Sequence, residues 1–262
     1  MRNEANRTDQ EDEHWKQMLQ NASPTQDPPL QARTYLRAWR TKAQPVLLNC
    51  ADGGQYMVKG RQAGRQIIND QVVARLGTLL GAPVGEPKLI DVPSALIEIE
   101  PNLSHLQPGI AHGTRFIPDC MDQPELIATS QPENRSRLAR LAVLYAWVVP
   151  GDWQFLFSKS PPRLVYSVDH GHFFPGGPEW TVRDLQQAAP PYLPSCFSVC
   201  ALTPEDWVEA LLALSQIPEE EIVHTVAAIP EEWGLTIEER VVLVQYLLYR
   251  RSELPSTLQA EE

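Results

Sequence analysis

The sequence is short of cysteine, of basic charge and of long apolar runs, and each shortage removes a class of function. Four cysteines (Cys50, Cys120, Cys196, Cys200) occur in 262 residues, which does not suit a disulfide framework in a chain this long. Cys196 and Cys200 are spaced loosely for zinc, and no histidine lies near them. No apolar stretch approaches the ~18 residues of a membrane span, and the polar start has no signal-peptide core. Lys and Arg number 22 against 33 Asp and Glu, a net charge of −11, which disfavours nucleic acid and anionic membranes as partners. A cytoplasmic protein with reduced thiols is the expectation.

What is present points to a folded body. Hydrophobic residues make up 43% of the chain, enough to bury the core of one large domain or of two small lobes sharing a cleft. The 24 prolines are roughly twice the usual share of about 5%, so segments should end abruptly. The acidity is uneven: residues 1–30 hold six acids and three bases, residues 215–262 ten acids and three bases, and the middle is nearly balanced. A site for a polyanion belongs in the middle, and the acidic ends are available to a protein partner.

Residues 1–30 read as a mobile acidic leader, with a short helix around His14 to Leu19 and breaks at Ser23-Pro24 and Pro28-Pro29. Short β-favouring runs follow: TYLRAWRT, PVLLNC and QYMVK, with Asp52-Gly53-Gly54 as a hairpin turn before the third. Ile67, Ile68, Val72, Leu76, Leu79 and Leu80 then recur at helical spacing until Gly81 and Pro83 stop them. KLIDV and ALIEIE read as two more strands. Pro132 opens a helix with Leu138, Leu141, Ala142, Tyr145 and Val148 on one face, which ends at Pro150-Gly151. QFLFS and RLVYSV read as a hairpin, and the remainder is helical. Its last helix is announced by the Thr236/Glu239 capping box and ends near Arg250-Arg251. The expected fold class is α+β, with a β-rich lobe holding one main helix over 31–115 and a mostly helical lobe with an embedded hairpin over 116–255. Residues 256–262 form a tail.

Two lobes around a cleft raise the question of phosphoryl transfer. That chemistry needs a glycine turn over phosphates, a strand lysine held by an acid, a carboxylate to orient the nucleophile, and metal ligands. Gly53-Gly54 at the hairpin tip, Lys59 at the end of its strand and Asp70 on the next helix are candidates for the first two. Taken singly, each is a common turn, strand-end or surface residue. Residues 56–75 hold four bases and one acid, a local balance that favours a triphosphate. Asp152, in the turn after the helix, is placed to orient a hydroxyl. Asp169, at a strand end before His170-Gly171, is placed to hold Mg²⁺. The hairpin brings both aspartates to the same end of neighbouring strands. His170 and His172 flank Gly171, but no further ligands accompany them, and His170 is expected to pack locally.

The stretches YMVKG, IINDQVVARLGTLLGAPV, GDWQFLFS and LVYSVDHGHFFPGG together resemble the HipA-like kinase family, within the atypical kinases that include the phosphatidylinositol 3- and 4-kinases. The resemblance covers roughly residues 34–252, and VDHG resembles the family's version of Asp-Phe-Gly. It implies a bilobal protein-kinase-like fold that binds ATP with Mg²⁺. Lys59 would contact the α- and β-phosphates with Asp70 as its partner, Asp152 would be the catalytic aspartate and Asp169 the metal-binding one. Gly113-Thr114-Arg115-Phe116-Ile117 would lie near the hinge, with Thr114 and Phe116 beside adenine. Two positions depart from the pattern. Asp70 stands for the usual Glu. The Asn expected five residues after the catalytic aspartate is Phe157, which leaves Gln154 as the oxygen donor for a metal in a shortened loop. The implied activity is transfer of the γ-phosphoryl of ATP to a hydroxyl acceptor, expected to be a protein serine or threonine. A nucleotide-binding pseudokinase acting as an interaction module is the alternative. Phe173 to Gly177 leave no room for a long phosphorylatable activation loop.

Overall fold

The computed structural model describes residues 2–22 and 28–259, with side chains at 10–22 and 28–257. Five strands close into a barrel: β1 (Leu30–Ala38), β2 (Val46–Cys50), β3 (Gln55–Lys59), β4 (Pro87–Val92) and β5 (Gly109–Arg115), in the order β1-β2-β3-β5-β4. Strand alternation places Tyr56 and Val58 inside the barrel, fully buried with Val46, Leu48 and Ile90. Met57 and Lys59 therefore face the other way, where helix α2 (Gln66–Leu80) crosses. This helix buries every residue from Gln66 to Ala74 and stops at Gly81, whose left-handed φ of 68° lets its N–H close back on Gly77 and Thr78.

The run ALIEIE, expected as a strand, is the short helix α3 (Ser94–Ile99). β4 already has β5 on one side and β1 on the other, so the closed barrel offers no edge for another strand. The buried residues Leu96, Leu103 and Leu106 instead tuck under it. The expected hairpin is also larger than anticipated. β7 (Gln154–Ser158) and β8 (Val165–Val168) pair as expected, and β6 (Cys120–Gln123) adds to the free edge of β7.

Helix α4 (Pro132–Val148) is the axis of the helical lobe, with Leu141 through Val148 all buried. Around it lie the short α5 (Val182–Gln186), α6 (Pro204–Ser215), α7 (Glu219–Ala227) and α8 (Ile237–Gln259). Thr236 and Glu239 cap α8 reciprocally, as their spacing predicts. α8 does not end near Arg250-Arg251. The buried Arg250 guanidinium donates to the carbonyls of Ala146, Trp147 and Ala189, which caps the C-terminal end of α4 with a positive charge. That contact holds Arg250 inside the helix, and α8 runs on through Pro255.

The leader differs from its expectation in a similar way. Helix α1 spans Arg2–Asn21, Leu19 is buried in the main core, and Asp12 Oδ1 accepts from Gln245 Nε2 on α8 at 2.6 Å. A buried leucine and a bond to α8 supply the tertiary support that a polar helix lacks by itself. The Ser23-Pro24 break and residues 260–262 lie outside the described residues. Among the described residues no helix is long and apolar enough to cross a membrane.

Candidate active site

The two lobes meet where α2 faces β8 and the turn after it. Lys59 leaves β3 toward α2, and its Nζ lies 2.8 Å from Asp70 Oδ2 and 2.5 Å from Asp169 Oδ1. Lys59 and Asp70 are buried, whereas the Asp169 side chain is about half exposed. Aspartate in place of glutamate reaches the lysine directly, so α2 lies close against the barrel. Burial opposes the charge on Lys59, but Asp70 and Asp169 override it and raise its pKa. Burial likewise pushes Asp70 up, but Lys59, with His112 adding to it, holds the carboxyl below its usual value. The result is a charged pair in a dry setting, with a second, half-exposed carboxylate at its outer side.

The turn carrying Asp169 is held in place by Asn69, the neighbour of Asp70. Fully buried, Asn69 donates through Nδ2 to the carbonyls of Gly171, Phe173 and Gly177, and accepts from Trp180 Nε1. One side chain thus fixes the whole segment from Gly171 to Trp180 against α2. Nothing in the local spacing marks this asparagine, because its partners lie about a hundred residues further along the chain.

Asp152 comes from a loop stitched to the same segment. Gly151 N–H donates to His172 O and Phe174 N–H to Val149 O, both at 2.9 Å. A Cβ on Gly151 would sit 2.4 Å from that His172 oxygen, so only glycine permits this approach. Val149, Asp169 and Phe174 have φ of 61°, 60° and 72°, left-handed values that non-glycine residues rarely adopt and that cluster at functional sites. Burial raises the Asp152 carboxyl above its ordinary value; His172 opposes this and the charge of Asp169 adds to it. A carboxylate shifted upward is better matched to proton acceptance.

Asp152 and Asp169 line one cleft of about 470 Å³ together with Asp122, Gln123, Pro124, Trp153 and Gln154. The other expected residues lie apart from it. Gly53 and Gly54 sit at the β2–β3 tip, where the Asp52 carboxylate takes the Gly54 N–H and the Tyr56 hydroxyl. Thr114 Oγ1 is bonded to His112 Nε2, and the Phe116 N–H donates to Gln55 O, so that N–H already has a partner. Phe157 is core. His170, bonded through Nε2 to Ser167, is a buried packing residue.

Fit to a metal rests on donor chemistry. Asp169 and Gln154 bring a carboxylate and a carboxamide oxygen to the same cleft, and oxygen donors suit a hard divalent cation. Among the described residues no cluster of three or more His, Cys, Asp or Glu has metal-binding geometry.

Two buried histidines lie beside the pair: His170, expected to pack locally, and His112, which no sequence signal singled out. His112 Nδ1 and Nε2 contact Gln71 and Thr114, and His170 joins Ser167 and Tyr145 in a chain. Burial drives both down to about 4 from an ordinary value of 6.5. Folded-state values below the unfolded one mean stability is complete above pH 6.5 and drains away as pH falls toward 4. Two such shifts together are worth on the order of 7 kcal/mol, at ~1.4 per pKa unit. Urea denaturation between pH 4 and pH 7 should show this slope, and His112→Gln or His170→Gln should flatten it. An unchanged slope in both variants would mean the imidazoles are not buried neutral.

Comparison with known proteins bears on the fold and the family. No curated protein matches the chain. Among solved structures, the Helicobacter pylori proinflammatory kinase CtkA superposes with a TM-score of 0.57 at 13% identity, covering 86% of this chain and 95% of that one. The Golgi casein kinase with Mn/ADP bound gives a TM-score of 0.46 at 11% identity over 95% of this chain and 77% of that one. The sequence pattern of the HipA-like kinases matches residues 35–171, over half of the chain, and spans Lys59, Asp70, Asp152 and Asp169. All of the barrel from Tyr35 onward, the ion-paired lysine and the two cleft aspartates thus fall within the matched stretch, and the chain belongs to the HipA-like kinase family.

Proposed function

We propose that this protein transfers the γ-phosphoryl of ATP to a hydroxyl acceptor, with a protein serine or threonine as the acceptor. The observation that carries this reading is Lys59 held between a buried Asp70 and a half-exposed Asp169, with Asp152 lining the same cleft as Asp169. Lys59 presents fixed positive charge to the phosphates. Asp152 accepts the hydrogen bond of the acceptor hydroxyl and orients its oxygen in line with the γ-phosphorus. Asp169 and Gln154 would hold Mg²⁺, which when bound neutralises the charge on the phosphate oxygens. Trp153, 38% exposed in the cleft wall, leaves a broad face for an acceptor as large as a peptide.

The shortened loop, with Gln154 where an Asn is usual, favours one second reading, a nucleotide-binding pseudokinase. Thermal melting with ATP and Mg²⁺, followed by labelled γ-phosphate transfer to itself or to a generic protein substrate, separates them. Catalysis predicts a raised melting temperature and transferred label. A raised melting temperature with no transfer or hydrolysis selects the pseudokinase, and no shift at all removes nucleotide from both readings.

A further inference from the structure

Asp122 lies on β6, the strand no sequence signal announced, and has no role in the site described above. Its Oδ2 accepts from Gln154 Nε2 at 2.5 Å, and both side chains line the cleft with Asp152 and Asp169. Strand register explains the meeting. Asp122 is paired with Leu156, which lies on the same sheet face as Gln154, two residues earlier on β7. Trp153 Nε1 donates to Pro124 O at 3.2 Å and fastens the end of β6 to the start of β7 beside them.

The bond has a fixed polarity. A carboxamide carries a donating nitrogen and an accepting oxygen, whereas a carboxylate only accepts. Next to Asp122, Gln154 must turn its nitrogen to the carboxylate and its Oε1 elsewhere. The distinction matters because a hard divalent cation takes oxygen ligands and not an amide nitrogen. Without the carboxylate, Gln154 would be free to rotate, and its flexible side chain would pay ordering entropy on every metal encounter. We infer that Asp122 is a positioning residue, holding the Gln154 carboxamide so that Oε1 is presented to the divalent cation of the nucleotide. The inference rests on the proposed phosphotransferase reading. It also accounts for how a glutamine in a shortened loop can stand in for a shorter asparagine: the extra methylene's freedom is removed by a bond from the neighbouring strand.

The test is the affinity of Mn²⁺ for the full chain in the presence of a non-hydrolysable ATP analogue, read by electron paramagnetic resonance. Asp122→Ala should weaken Mn²⁺ binding by about tenfold or more, as loss of outer-shell partners does. Gln154→Ala should weaken it at least as much, and the double variant should be no worse than Gln154→Ala alone. Removing Asp122 takes a like charge away from the phosphates, so affinity for the analogue without metal should not fall in Asp122→Ala, and the loss should be confined to the metal-bearing complex. Wild-type Mn²⁺ affinity in Asp122→Ala, or a double variant that loses the product of the two single effects, would overturn the positioning role while leaving the phosphotransferase reading standing. A wild type that binds no Mn²⁺ with the analogue would remove that reading and this inference together.

Discussion

Asp152→Ala loses turnover by ~10²–10⁴-fold, the range for a positioned proton acceptor, and keeps its nucleotide affinity. The expectation follows from where the residue sits. Its loop is set by backbone bonds from Val149 and Gly151 to Phe174 and His172, none of which involves the Asp152 side chain, so truncation leaves the loop in place. Removing a carboxylate whose pKa is raised by burial and by Asp169 also relieves an unfavourable charge, so the folded state should not suffer. Asp169→Ala should abolish turnover too, but by another route. It removes a partner of Lys59 and the proposed metal ligand, so affinity for nucleotide with Mg²⁺ falls along with turnover. Measuring turnover and nucleotide dissociation constants for both variants separates the two roles. Turnover at the wild-type level in Asp152→Ala would end its assignment. In the wild type, activity should also fall on the acid side as Asp152 takes up a proton, at a pH shifted upward from the ordinary aspartate value, and Asp152→Asn should erase that limb.

Much of this site could be seen in the sequence because its parts depend on local rules. Alternation put Lys59 opposite Tyr56 and Val58, helical spacing put Asp70 eleven residues further on, and Pro150-Gly151 marked the loop before Asp152. The glycine at 171 is required by a neighbour, since a Cβ there would meet the Gln66 side chain at 2.9 Å, yet as a turn residue it was visible without that contact. What stayed hidden depends on partners distant in sequence. Cys120 to Gln123 has no strand-like pattern, and it is a strand because β7 offers an unpaired edge. Asn69 looks like any polar helix residue until three carbonyls from beyond residue 170 converge on it. Arg250 carries a last-turn signature, yet the carbonyls it binds belong to α4 and to Ala189, so the helix continues past it. In each case tertiary contact overrode a local preference, which is the expected direction of error for reading propensity alone.

Lys59→Met should be the most destabilising single change in the site, because of what it strands. Methionine matches the lysine stem in length and flexibility, so the packing of β3 on α2 survives, but Asp70 is left 3% exposed with no cation beside it. Removing one partner of a buried ion pair costs about 3–5 kcal/mol, a large part of a typical domain's stability of ~5–15 kcal/mol. The dependence on pH should change sign as well. In the wild type the folded pKa of Asp70 lies below its ordinary 3.8, so the pair's contribution is present above pH 3.8 and is lost as pH falls through the lower folded value. Without Lys59, burial, the largest influence on Asp70, acts unopposed by its main counter-charge and raises the folded value above the unfolded one. The variant then binds a proton at Asp70 on folding, and this contribution to its stability declines as pH rises from about 3.8 toward that raised value. Chemical denaturation of wild type and Lys59→Met from about pH 3 to pH 8, compared as the difference between the two proteins so that the shared histidine slope cancels, reads both effects. Asp70→Asn in the Lys59→Met background should recover much of the loss and flatten the slope, because the amide carries no charge to desolvate. A Lys59→Met protein as stable as wild type at pH 7, with no recovery on adding Asp70→Asn, would mean that the carboxylate has found water and that the pair is not the closed contact described above.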